Sequence, residues 1–130
     1  MAMDTILLLE DDQPLREYYS LSLTQAHYRV VEADNSKDII PLIEQHNPGL
    51  VITDLVMPDH DGLEGIFRMI GKYRIPVIVI SAYPDFVQLS KPLVAATYVK
   101  PLSASELISA ADKILDPARP SAQANGAPQG

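Results

Sequence analysis

The sequence predicts an α/β protein whose five parallel strands form one sheet, doubly wound by helices on both faces. Strand and helix signals alternate five times along the chain, which is the pattern of a wound sheet. The runs Leu7-Leu8-Leu9, Leu50-Val51-Ile52 and Val77-Ile78-Val79-Ile80 carry no polar alternation, as expected of strands covered on both faces. Each run ends in charged or hydroxyl residues, and in open parallel sheets that end is where ligands bind.

The first strand is Thr5 to Leu9. Pro14 can open the helix that follows, and Leu15, Tyr19, Leu23 and Ala26 recur at helical spacing, which predicts one buried stripe. Arg29 to Ala33 is a shorter second strand. Asn35 or Ser36 is expected to cap a helix carrying Ile39, Ile40 and Ile43, with Pro41 costing a hydrogen bond or a kink. Asn47-Pro48-Gly49 ends that helix, and Leu50 to Asp54 is the third strand. Leu63, Ile66, Phe67 and Ile70 predict an amphipathic helix that stops near Tyr73, after which Ile75-Pro76 leads into the fourth strand. Pro84 and Pro92 interrupt residues 83–96, so a short helix with irregular backbone is expected there. After the fifth strand, Ser103-Ala104-Ser105-Glu106 reads as a capping box. It opens a last helix that buries Leu107, Ile108, Ala111, Ile114 and Leu115 and ends at Pro117.

A chain of 130 residues has the length of a single domain and buries roughly two thirds of its unfolded surface. It contains no cysteine, so disulfides and thiolate metal sites are excluded, and a cytoplasmic location is expected. No apolar stretch reaches the length of a membrane span, and the N-terminus lacks a leader pattern. The net charge of -7 and pI near 4.7 argue against binding of nucleic-acid backbones by this domain. Residues 117–130 have no Ile, Leu, Val or aromatic residue and are expected to form a disordered tail or linker. Residues 1–116 are then the single folded domain.

Glu10, Asp11 and Asp12 follow the first strand, Asp54 ends the third, Ser81 ends the fourth and Lys100 follows the fifth. Carboxylates brought together at one sheet edge raise one another's pKa values unless a cation compensates. A hard divalent ion such as magnesium is the natural compensator. Each residue also has an ordinary role: Asp54 or Ser81 as a strand-end cap, Lys100 as a solvated cation, and Asp12 as a first-turn acid favoured by the helix dipole. His27, His46 and His60 show no ligand spacing and are read as solvated. Glycine-rich nucleotide loops are absent.

The acidic pair, the aspartate 43 positions after Asp11, Met57-Pro58 and Gly62, Ser81-Ala82 and Lys100-Pro101 together resemble the receiver domain of bacterial two-component response regulators, over about residues 4–116. The resemblance implies a flavodoxin-like sheet of order 2-1-3-4-5 and a phosphoryl group accepted on Asp54, as carboxylates can do. It implies magnesium held by Glu10, Asp11, Asp54 and the Val56 carbonyl, with Asp11 the more direct ligand of the acidic pair. Ser81 and Lys100 would bind phosphoryl oxygens, and Lys100-Pro101 would be cis. The phosphoryl donor would be a histidine kinase or phosphotransfer protein, and the output would pass to a target protein or an output domain.

The chain departs from the family in three places. The residue three before Lys100, usually aromatic, is Thr97, and Tyr98 stands one place later. Only 19 positions separate Ser81 from Lys100, fewer than is common, so the dimerising or docking surface around the fourth helix stays open. The positions two past Asp54 and two past Ser81 are Val56 and Tyr83, side chains ill suited to holding an attacking water, which implies slow self-dephosphorylation. Two other readings compete with the switch. A haloacid-dehalogenase-like phosphohydrolase would need an acid where Val56 stands, and a receiver-fold interaction module would work by contact without phosphorylation.

Overall fold

The computed structural model describes residues 4–55 and 62–117. Strands β1 (Thr5–Leu9), β2 (Arg29–Ala33), β3 (Leu50–Asp54), β4 (Val77–Ser81) and β5 (Ala96–Val99) form a sheet of order β2-β1-β3-β4-β5. All neighbours are parallel. Helices α1 (Gln13–Gln25), α2 (Ile39–His46), α3 (Gly62–Ile70), α4 (Pro84–Ser90) and α5 (Ala104–Leu115) cover it, and a single 3-10 turn, Lys91–Leu93, follows α4. This is the doubly wound five-stranded fold, with its shortened fourth helix, that the sequence predicts.

Every residue of β3 and β4 is buried, which is why those runs lack alternation. Successive side chains still point to opposite faces. Ile6, Leu8, Ile52, Ile78 and Ile80 meet Tyr19 and Leu23 of α1 and Leu107, Ala110 and Ala111 of α5. Leu7, Leu9, Val51, Val77 and Val79 meet Ile39 and Ile43 of α2 and Ile66 and Met69 of α3. Each such leucine or isoleucine contributes about 2 kcal/mol by leaving water.

The structure corrects several local expectations. The cap of α2 is Asp38 rather than Asn35 or Ser36. Asn35 Oδ1 instead accepts from the Lys37 amide at 2.9 Å, a local turn that precedes the helix. Pro41 is the third residue of α2, where the backbone N–H has no intrahelical acceptor, so it removes no hydrogen bond. Helix α2 ends at Asn47, whose φ of 49° is left-handed, a conformation asparagine tolerates.

In α3, Phe67 and Ile70 are 58% and 39% exposed, while Ile66 and Met69 are buried. The reason is Gly65. A Cβ there would lie 2.9 Å from Ser36 Cβ, so the glycine sits in the contact, and the helix turns the face holding residues 65, 66 and 69 inward. In α5, Ala110 and Asp112 join the buried face. The buried Tyr28 hydroxyl hydrogen-bonds the Asp112 carboxylate. The capping box is formed as expected, with both Ser103 and Glu106 hydrogen bonds present. Among the described residues, no helix is long and apolar enough to cross a membrane.

Candidate functional site

The parallel register brings the predicted residues to one edge. Leu9 pairs with Thr53, so Glu10 and Asp54 leave adjacent strands at the same level. Ser81 pairs with Val99, and the Ser81 carbonyl accepts from the Lys100 amide at 2.8 Å. The Lys100-Pro101 peptide is cis.

Glu10 is held at several points. Its amide donates to the Ala33 carbonyl at 3.0 Å, and its Oε2 accepts from the Asp12 amide at 3.2 Å. Its Oε1 lies 2.9 Å from Lys100 Nζ, which also reaches Asp54 Oδ2 at 2.7 Å. Lys100 therefore bridges two buried carboxylates. Burial pushes the Glu10 carboxyl up from its ordinary value, and the opposing pull of Lys100 does not cancel it. Burial alone would lower Lys100, yet its hydrogen bonds to Asp54 and Glu10 outweigh that and leave it raised. The ammonium stays charged because it is shared by two carboxylates.

Glu10, exposed Asp11 and Asp54 each offer a carboxylate oxygen, and these oxygens lie within 4.8 Å of one another. Three hard oxygen donors at that separation fit a magnesium-type ion, which favours carboxylates and retained waters over an all-protein cage. Val56, whose carbonyl the family resemblance adds to this set, lies outside the described residues, as do Met57, Pro58 and His60. Ser81 is fully buried, and its Oγ accepts from the Tyr83 amide at 3.1 Å. That bond uses a lone pair and leaves the hydroxyl proton available for donation.

The register also places the two residues near the aromatic position. Tyr98 pairs with Ile80 and Thr97 with Val79. Tyr98 therefore packs on the face covered by α1 and α5, and Thr97 points to the opposite face. His27 is exposed, while His46 is half-buried.

Two contributors escaped sequence reasoning. Tyr19, buried beneath the site, donates to the Leu102 carbonyl at 3.3 Å, and burial raises its hydroxyl pKa, with Glu10 adding to the rise. Arg16 donates from Nη1 to the Glu10 carbonyl at 2.8 Å and pairs with Glu32 at 3.3 Å. The available signal for Arg16 was its place near the start of a helix, where the dipole disfavours a cation that has no partner.

A doubly wound sheet with acids, a hydroxyl and a lysine at its carboxyl edge defines an α/β domain with a polar site at its strand ends. The sequence profile of the response regulator receiver domain matches residues 6–112, and the chain belongs to this family, a family of signalling modules. It is 34% identical over 109 residues to the transcriptional regulatory protein PdtaR of Mycobacterium tuberculosis, a match covering 81% of this chain and 53% of that protein. It is 34% identical over 83 residues to the transcriptional regulatory protein AfsQ1 of Streptomyces coelicolor, covering 64% and 37%. The chain thus spans about half or less of the length of these relatives. Among solved structures it is similar to the response regulator TrrA of Thermotoga maritima in complex with Mg(2+)-BeF. That likeness has a TM-score of 0.80 and 28% identity and covers 87% of this chain and 100% of that one. The fold also matches the chemotaxis response regulator CheY4 of Vibrio cholerae, with a TM-score of 0.77, 23% identity and coverage of 88% and 100%.

Proposed function

We propose that this receiver is a switch operated by phosphorylation of Asp54, with the phosphoryl group supplied by a histidine kinase or a phosphotransfer protein. The observation that carries this reading is the convergence of Glu10, Asp11 and Asp54 within 4.8 Å, with Lys100 Nζ 2.7 Å from Asp54. An Asp54 carboxylate oxygen attacks the phosphorus of a phosphohistidine, the phosphorus–nitrogen bond breaks, and the electron pair leaves on the imidazole, which takes up a proton. Such transfers need positioning and charge compensation more than covalent help from the protein.

Glu10, Asp11, Asp54 and the Val56 carbonyl would hold magnesium, which when bound supplies charge compensation for the carboxylates and the phosphoryl oxygens. Ser81 donates its hydroxyl to one phosphoryl oxygen, and Lys100 places its charge on another. These contacts must favour the active arrangement by about 5 kcal/mol if the population is to invert from nearly all inactive to nearly all active. Tyr83, 54% exposed, stands two positions past Ser81 and Val56 two past Asp54, and the lack of a short polar side chain to hold an attacking water at either position supports slow self-dephosphorylation. The domain is read as residues 1–116 with 117–130 as a linker, supported by the end of α5 at Leu115. It is read as cytoplasmic, acting on a target protein or a following output domain, with no direct role at nucleic acid or membrane.

Thr97 on the face away from Tyr98 favours a second reading, an interaction module that works without phosphorylation, because no aromatic occupies the usual reporting position. Beryllofluoride with magnesium distinguishes the two when followed by amide NMR. The switch requires shifts at Ser81, Lys100 and the α4 segment, and spectra unchanged by beryllofluoride would support the contact module instead.

A further inference from the structure

Arg16 links the acidic site to the second strand through a chain of polar contacts that phosphoryl chemistry does not itself require. Its Nη1 donates to the Glu10 carbonyl at 2.8 Å, and its Nε lies 3.3 Å from Glu32 Oε1. The other oxygen of Glu32 accepts from Ser20 Oγ at 2.9 Å. Arg16 is only 17% exposed in its side chain, and Ser20 is nearly buried. The Glu10 backbone is thus held on both sides of its Cα, its N–H on Ala33 and its carbonyl on Arg16.

We infer that Arg16 is a positioning residue that sets the direction in which Glu10 and Asp11 present their carboxylates to a divalent cation. This inference rests on the metal reading proposed above. A planar guanidinium can satisfy a carbonyl and a carboxylate at once with a fixed angle between its donors, which an ammonium cannot. Partners that orient metal-binding groups from behind commonly change metal affinity by tenfold or more when removed. Coulomb repulsion between cations alone makes the opposite forecast, since deleting a cation near the site should tighten the binding of another cation. The sign of the change therefore separates positioning from simple charge.

The test is isothermal titration of the full chain with magnesium chloride, at a temperature where circular dichroism finds every variant folded. Arg16→Ala and Arg16→Lys should each raise the dissociation constant about tenfold, and Ser20→Ala should raise it less. Lys72→Ala, which breaks the exposed pair with Glu44, should leave it unchanged. An unchanged or tighter constant for the Arg16 variants, with normal binding by wild type, overturns the inference and leaves the metal reading intact. Weakening by Lys72→Ala equal to that by Arg16→Ala overturns it too, because general destabilisation would then be the cause. Wild type that takes up no magnesium overturns both. If Arg16→Ala does not fold, Arg16→Lys and Ser20→Ala decide by the same criterion.

Discussion

Lys100 Nζ lies 2.7 Å from Asp54 Oδ2, although 46 residues separate the two in the chain. The same ammonium is 2.9 Å from Glu10 Oε1. It therefore compensates two carboxylates whose side chains are only 8% and 3% exposed.

Removing that ammonium should be costly. Breaking a buried ion pair from one side leaves charge without its partner, so Lys100→Ala should lower stability by about 3 kcal/mol in chelator-containing buffer. Magnesium chloride should restore part of the loss by binding the folded state. Urea denaturation with and without the metal checks both effects.

The capping box makes a pH prediction. Hydrogen bonds from the backbone and side chain of Ser103 hold the Glu106 carboxyl below its ordinary 4.5. A carboxyl depressed in the folded state contributes stability above its unfolded value, and the contribution disappears as pH falls through the folded value. The stability gap between wild type and Glu106→Gln should therefore be largest well above pH 4.5 and close under more acid conditions, as read by thermal midpoints across pH. Ser103→Ala removes the cap itself and should cost about 1 kcal/mol at neutral pH.

Gly65→Ala should destabilise the protein even though alanine favours helix by about 1 kcal/mol. The added Cβ meets Ser36 Cβ at 2.9 Å, and neither atom is the tip of a flexible chain. Ser36→Gly in the same molecule should recover most of the loss, which a double-mutant cycle measures.

Tyr28→Phe deletes the phenol's hydrogen bond to the buried Asp112 carboxylate. Hydrogen bonds to charged groups are among the stronger ones, so the loss should be about 2 kcal/mol. Chemical denaturation of the single variant reads it directly.

The strands and the acidic edge were legible because each depends on local pattern: unbroken apolar runs at β3 and β4, and charged residues just beyond them. The facing of α3 was not. It depends on a glycine whose contribution is the absence of a side chain, so Gly65 is silent in any count of apolar positions while Phe67 and Ile70 are conspicuous. Asp112 escaped for a related reason, since its burial depends on Tyr28, 84 residues away. Arg16 and Glu32 likewise meet only once β2 lies beside β1. Glu10, Asp54, Ser81 and Lys100 come together because parallel register carries strand-end residues to one level, which sequence spacing anticipates without giving the Lys100 bridge.

The most direct test of the switch is intact mass after incubation with acetyl phosphate and magnesium, beside an Asp54→Ala control. One added phosphoryl group on the wild type, absent from the control, is the predicted result. No added mass on the wild type, or an equal gain on the Asp54→Ala protein, would contradict it.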